Sequence, residues 1–299
     1  MLVATGSYSG NSTDDRDITV GFQPEVVIVK ADDTAGAPFR TDAMTAGNSN
    51  WLRDNAGLTA NVIQAFGATT FQVGTDGSSN TTGDTYNWLA FADNGDGDLV
   101  TSTYTGNGID DRSITDPAID LSFIVVKGRS TDSGGWRTTN NAAGESLQFH
   151  EFGGTQTNKI QNFVTNGFQV GTDAEVNTDT VVYDYFCIKS GSSSIALGSY
   201  TGNSTDDREI TGAGFAPEAA ITKDTSDNGA VANTTDTDSS WSTTFTASAI
   251  DRIQSLDTDG FTVGTDATAN ATGSTYFWAV FRDAPATAVR RRMRMGIGI

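Results

Sequence analysis

The sequence predicts an all-β protein made of three tandem β-sandwich or jelly-roll-like domains with a short basic C-terminal tail. Three ordered anchors recur along the 299 residues, and short β-branched and aromatic runs alternate with turn residues. The composition agrees, because 33 glycines against 5 prolines indicate many tight turns that use positive φ angles.

The first anchor contains a tyrosine and an Asp-Asp-Arg triplet, and it recurs at an interval of 96 residues. It reads GSYSGNSTDDRDIT at 6–19, STYTGNGIDDRSIT at 102–115 and GSYTGNSTDDREIT at 198–211. The second is an extended run ending in lysine, at 22–30, 118–127 and 215–223. The third begins with FQVGTD or FTVGTD, at 71–76, 168–173 and 261–266, and continues to the aromatic runs 85–91, 182–188 and 275–281.

These offsets divide the chain into repeat one (1–96), repeat two (97–193), repeat three (194–284) and the tail (285–299). The joints DNGDGD (93–98) and SGSSS (190–194) are expected to be short linkers. Each repeat is long enough to bury a core of its own. Packing of the three repeats about a pseudo-threefold axis and trimerisation of whole chains both remain open.

Within a repeat we expect seven or eight strands. The run TYNWLAF places Tyr86 and Trp88 on one face, which predicts that this face carries large side chains into a core. The segment 247–256 has some helical spacing, but the equivalent segments 59–66 and 157–164 alternate, so we favour strands for all three.

Composition excludes several classes of function. A net charge of −19 makes the body repel nucleic acid and anionic membranes. No stretch approaches the 18 apolar residues of a membrane span, and the N-terminus does not have the pattern of a signal peptide. With Cys187 as the single cysteine, no intramolecular disulfide is expected.

No catalytic arrangement is evident, and we expect that the protein is not an enzyme. His150 and Cys187 each occur in one repeat, and Cys187 replaces Ala90 and Val280 in an aromatic strand, which predicts a buried small side chain. The Asp-Asp pairs suggest a glycosidase only superficially, since adjacent carboxylates diverge on a strand. We expect turns closed by an Asx bond, with a local Asp–Arg pair.

The GTDxxxN motif is a weak candidate for calcium, because oxygen ligands in a loop suit this ion. The alternative is an Asx turn that closes a hairpin, and we favour it, so no cofactor is expected. The candidate ligands are Asp76, Asn80, Asp173, Asn177, Asp266 and Asn270.

The tail is the one segment rich in positive charge. Its four arginines, Arg290, Arg291, Arg292 and Arg294, are expected to anchor the chain by docking on an acidic surface, such as that of a neighbouring subunit. Disorder and phosphate binding are the alternatives, and the final GIGI could add a strand to the edge of a partner's sheet.

The order of the anchors resembles a module of structural proteins of tailed phages and archaeal tailed viruses. In repeat three the resemblance is carried by Tyr200, Gly202, Asn203, Phe215, Pro217, Lys223, Asp259, Gly260, Phe261, Gly264, Thr275, Tyr276 and Trp278. Repeat one matches nearly as well, whereas repeat two has Ala118 and Asp120 near the Phe and Pro positions and Tyr185 in place of Trp. The resemblance implies a place in a virus particle and no catalytic residues.

We therefore expect a virion structural protein that decorates the capsid or forms part of the tail or its fibres. Its partners would be other virion proteins and further copies of itself, as a trimer or larger oligomer. The alternative is a module that binds host glycans, with Trp51, Trp136 and Trp241 stacking on sugars if they are exposed and filling the core if they are not.

Overall fold

The computed structural model describes residues 1–32, 36–53, 57–149, 154–225, 231–235, 240–242 and 247–284. The described chain is almost entirely antiparallel β-structure, which confirms the predicted fold class. The strands are short because glycine and Asx turns interrupt the chain every few residues.

The three repeats contain nearly the same series of strands. Repeat one has β1 (Leu2–Ser9), β2 (Arg16–Thr19), β3 (Val26–Ala31), β4 (Pro38–Thr41), β5 (Asn48–Trp51), β6 (Thr59–Ala60), β7 (Ile63–Phe66), β8 (Thr70–Val73), helix α1 (Gly77–Asn80) and β9 (Thr85–Ala92). Repeat two has β10 (Leu99–Thr105), β11 (Arg112–Ile114), β12 (Leu121–Gly128), β13 (Gly135–Thr138), β14 (Glu145–Gln148), β15 (Gln156–Thr157), β16 (Ile160–Val164), β17 (Gly167–Val170), α2 (Ala174–Asn177) and β18 (Val182–Lys189). Repeat three has β19 (Ile195–Thr201), β20 (Arg208–Thr211), β21 (Ala219–Asp224), β22 (Val231–Thr234), β23 (Trp241–Ser242), β24 (Ile253–Asp257), β25 (Gly260–Val263), α3 (Ala267–Asn270) and β26 (Thr275–Phe281).

Every repeat folds into a large sheet that packs on a small one. In repeat one the large sheet has the order β1-β9-β3-β4-β5-β6 and the small sheet the order β2-β8-β7. Repeat two has the same orders. In repeat three the described part of the large sheet has the order β19-β26-β21-β22-β23, with no counterpart of β6, and each described sheet is drawn from a single repeat. The segments with an ambiguous period contain strands β7, β16 and β24, as we favoured.

Both faces of each large sheet are buried at its central strands. In β3, Val27 and Val29 pack towards the small sheet of the same repeat, whereas Val26 and Ile28 belong to a cluster that all three repeats share. The sequence indicated one buried face on β9. The structure buries both, because the second face meets the other repeats.

The shared cluster, which we call the central core, is built from equivalent positions of the three large sheets. Phe91 of repeat one lies 6.2 Å from Phe186 of repeat two and 5.1 Å from Phe281 of repeat three, measured between ring centroids. Phe123 completes the contact, at 5.6 Å from Phe281. Because the same face of each repeat points to one centre, the three sheets surround a pseudo-threefold axis.

A glycine faces a tryptophan across paired strands in repeats one and three, and a serine faces a tyrosine at the same place in repeat two. Gly6 lies opposite Trp88 on paired strands, and a Cβ at Gly6 would overlap the indole ring. Repeat two has Ser102 opposite Tyr185, and both hydroxyls donate to Asp116, at 3.0 and 2.7 Å. The smaller aromatic ring, that of Tyr185, therefore faces the larger of the two partner residues, Ser102.

Replacement of Gly6 by Ala should destabilise the chain by about 1–3 kcal/mol, because the new methyl group overpacks a site filled by Trp88. Adding Trp88→Tyr should recover part of the loss, because repeat two shows that a tyrosine leaves room for a side chain on the facing strand. The free energy of unfolding in urea for the two single variants and the double variant measures this coupling. Additive effects would contradict it.

Replacement of Phe91 by Ala should cost about 3–5 kcal/mol, since the ring is 1% exposed and borders all three repeats. Hydrogen exchange should become faster in strands of repeats two and three as well as in repeat one. The control is Ile250→Ala, at a side chain that is 73% exposed, which should change nothing. Faster exchange confined to repeat one would show that the repeats are stabilised separately.

Candidate functional site

The Asp-Asp-Arg triplets form turns, but the expected Asp–Arg pair is wrong. The backbone N–H of Asp15 bonds the carboxylate of Asp14 at 3.0 Å, and Asp15 takes a φ of 55°. Arg16 turns away from both carboxylates. Its guanidinium lies 5.2 Å from the ring centre of Tyr8 and donates to the carbonyl of Ser9 at 2.6 Å.

Asn80, the last residue of the GTDxxxN motif, is fully buried and joins three segments of the repeat. Its amide nitrogen donates to the carbonyls of Thr13 and Gly74, both at 2.8 Å. Its oxygen accepts from the backbone N–H of Asn11 at 2.9 Å and from Arg16 at 3.3 Å. Asn177 and Asn270 make the same four kinds of bond, so we call each such set an asparagine cluster.

Two stacked tyrosines support each asparagine cluster. Tyr8 and Tyr86 stack at 5.2 Å, and their hydroxyls donate to the carbonyls of Ser79 and Gly77 at the one-turn helix α1. Burial raises the pKa of the Tyr8 hydroxyl far above its usual range, so it remains a donor. The recurring YTGN and GTDxxxN motifs are therefore the two halves of one structural contact.

The calcium candidates are engaged in hydrogen bonds of the protein itself. Asp76 caps α1 by accepting the N–H of Ser78 at 2.9 Å, and Asp173 and Asp266 cap α2 and α3 in the same way. The sequence predicted Asx turns here, and the structure adds a single helical turn after each. Across the described ranges, no set of three or more His, Cys, Asp or Glu residues is placed to hold a metal ion.

Asn80→Ala should destabilise the chain by about 2–4 kcal/mol, because it leaves two carbonyls and two N–H donors without their partner. Asn80→Asp should also destabilise, since a carboxylate cannot donate to Thr13 and Gly74. Urea unfolding measures both variants. The matched control Asn140→Ala removes an exposed amide and should have almost no effect, whereas equal losses at the two positions would contradict a bonding role for Asn80.

Trp51 and Trp136, the proposed sugar platforms, are 8% and 0% exposed. They fill the core, which removes the stacking surfaces that the glycan hypothesis needs at these positions. The side chain of Trp241 and all of His150 lie outside the described residues. Cys187 is buried as expected, and burial raises the pKa of its thiol, which makes a thiolate nucleophile unfavourable.

One end of the central core is polar. Lys30, Lys127 and Lys223 follow the apolar positions on the inward face of β3, β12 and β21, and all three are 0% exposed. Lys127 donates to the carbonyls of Gly128 and Ser130 at 2.8 and 3.0 Å. The lysine that ends each second anchor was visible in the sequence, but nothing there indicated that it would be buried.

This polar end also contains charged pairs. Lys223 bonds the buried carboxylate of Asp224 at 3.1 Å, and Arg129 pairs with Asp184 at 2.7 Å. Asn50 of repeat one donates to the carbonyl of Gly128 in repeat two at 3.1 Å and to Asp184 at 3.4 Å. These charged groups therefore have their partners inside the protein, and the two bonds from Asn50 fix how repeats one and two pack together.

An acidic cleft of about 420 Å³ is lined by residues of repeat one. Its lining includes the ring of Phe22 and the carboxylates of Glu25, Asp42 and Asp93, and no ion pair to these carboxylates is found in the described part of the chain. Burial raises the pKa of Glu25, a bond from the N–H of Asp93 opposes this, and the charges of Asp42 and Asp93 raise it further. The sequence analysis did not identify this cleft, because its residues come from four separate segments.

Comparison with protein families places the chain in one of them. The family described as Domain of unknown function (DUF7483) matches residues 4–285, and the chain therefore belongs to this family. No match was found among curated proteins. None of the helices in the described ranges has the length and hydropathy needed to cross a membrane.

Proposed function

We propose that the protein is a non-enzymatic structural component of a virus particle, exposed on the capsid or forming part of the tail or its fibres. The observation that carries the proposal is the construction of the body. Three copies of one β unit close around a single central core, and in each copy the repeated arginine of the first anchor bonds the buried asparagine of the third. Such a body offers stable surfaces, and its repeated motifs stabilise the fold.

Charge and chemistry support the same proposal. The chain carries a net charge of −19, which favours solubility and contact with basic partners over binding to nucleic acid. The resemblance of the anchor order to modules of tailed-virus structural proteins suggests where such a body is used. Contacts with other virion proteins or with further copies would then gain strength from several weak contacts at once.

The proposal predicts that the protein remains with particles through purification. Particles from a culture that carries the gene should be labelled at regular positions by an antibody raised against the recombinant chain, as seen by electron microscopy. Mass spectrometry of gradient-purified particles should give a copy number well above that of contaminating host proteins. Unlabelled particles, with the chain recovered only in the soluble fraction, would refute the proposal.

A further inference from the structure

The acidic cleft of repeat one has an alanine at a position where the other two repeats have a basic residue. Residue 92, which follows the last inward-facing aromatic of β9, is alanine. The equivalent positions in repeats two and three are Lys189 and Arg282, each of which donates its backbone N–H to the carbonyl of the residue just before the first strand of its repeat.

Repeat three shows what a cation does at this position. The guanidinium of Arg282 lies 4.3 Å from the ring centre of Phe215. Phe215 is the counterpart of Phe22, since both precede a proline and a glutamate at the start of the second anchor. Phe215 is 9% exposed under Arg282, whereas Phe22 is only half-buried beside Ala92. The cleft is therefore the place that an arginine occupies in repeat three.

The described chain ends next to this cleft. The carboxylate of Asp283 accepts the N–H of Val3 at 3.2 Å, and the N–H of Ala284 donates to the carbonyl of Met1 at 3.0 Å. Leu2, which lies between these two residues, lines the cleft. Five residues separate Ala284 from Arg290, and an extended chain over the six Cα-to-Cα steps between them spans roughly 20 Å.

We propose that the basic tail of the same chain docks in this cleft, with an arginine among Arg290, Arg291, Arg292 and Arg294 over Phe22 and between the carboxylates of Glu25 and Asp42. Residues 285–299 contain four arginines and no acidic residue, so their charge complements that of the cleft. Attachment at Ala284 gives the tail a high effective concentration there. The contact does not depend on a role in a virus particle.

Limited trypsin digestion of the full-length protein tests the proposal, because trypsin cuts after the arginines of the tail. At low salt, cleavage between residues 290 and 295 should be about fivefold slower than in a free peptide of residues 285–299, since several weak ion pairs hold the tail. In 1 M salt the Debye length falls to about 3 Å, and the two rates should become equal.

Variants in the cleft separate docking from general protection. Glu25→Gln with Asp42→Asn removes two carboxylates while retaining their shapes and should raise the cleavage rate to that of the free peptide. Ala92→Arg places a competing guanidinium beside Phe22 and should release the tail in the same way. The matched control is Glu209→Gln with Asp257→Asn in a smaller acidic pocket of repeat three, which should leave the tail protected.

Circular dichroism checks that each variant is folded before digestion. Equal cleavage rates in the wild type and the Glu25/Asp42 variant would overturn the proposal. Protection that increases with protein concentration, together with a dimer in native mass spectrometry, would show that the tail lies on a second copy and would overturn docking within one chain.

Discussion

The contact among Phe91, Phe123, Phe186 and Phe281 determines the organisation of the molecule. Each large sheet has apolar residues on both faces, and one small sheet can cover only one of them. The second face must be buried against something else, and in this chain it meets the same face of the other two repeats. Burial of aromatic side chains, each worth about 1.5–3 kcal/mol, is the main force that joins the repeats.

Polar bonds give this apolar association a definite geometry. Apolar contact has little directional preference, whereas the bonds from Asn50 to Gly128 and Asp184 require one arrangement of repeats one and two. Thr5 and Thr235 make a comparable contact between repeats one and three, at 2.8 Å. The asparagine clusters then keep each small sheet and its turns fixed to the large sheet, so local order and the arrangement of the repeats are maintained by different residues.

Much of the fold could be predicted from the sequence because the signals are local. Three of these signals are the alternation in TYNWLAF, the capping bond of Asp76 and the interval of 96 residues. Each depends on neighbouring positions or on repetition. What could not be predicted depends on distant segments. Arg16 bonds Asn80 in place of the adjacent aspartates because the fold brings α1 beside the first anchor. Lys30 is buried on the face of β3 whose Val26 and Ile28 join the central core. The acidic cleft likewise combines segments around residues 2, 22–25, 42 and 92–93.

The central core also affects the order of events during synthesis. The inward face of the first sheet carries Val26, Ile28 and Phe91, and its cover includes Phe281, which is 190 positions downstream of Phe91. At roughly 5–20 residues per second, the ribosome needs about ten seconds or more to reach that position. During this interval the inward face of the first sheet has only part of its cover, which leaves apolar surface open to pairing with nascent copies on neighbouring ribosomes or to binding by a chaperone.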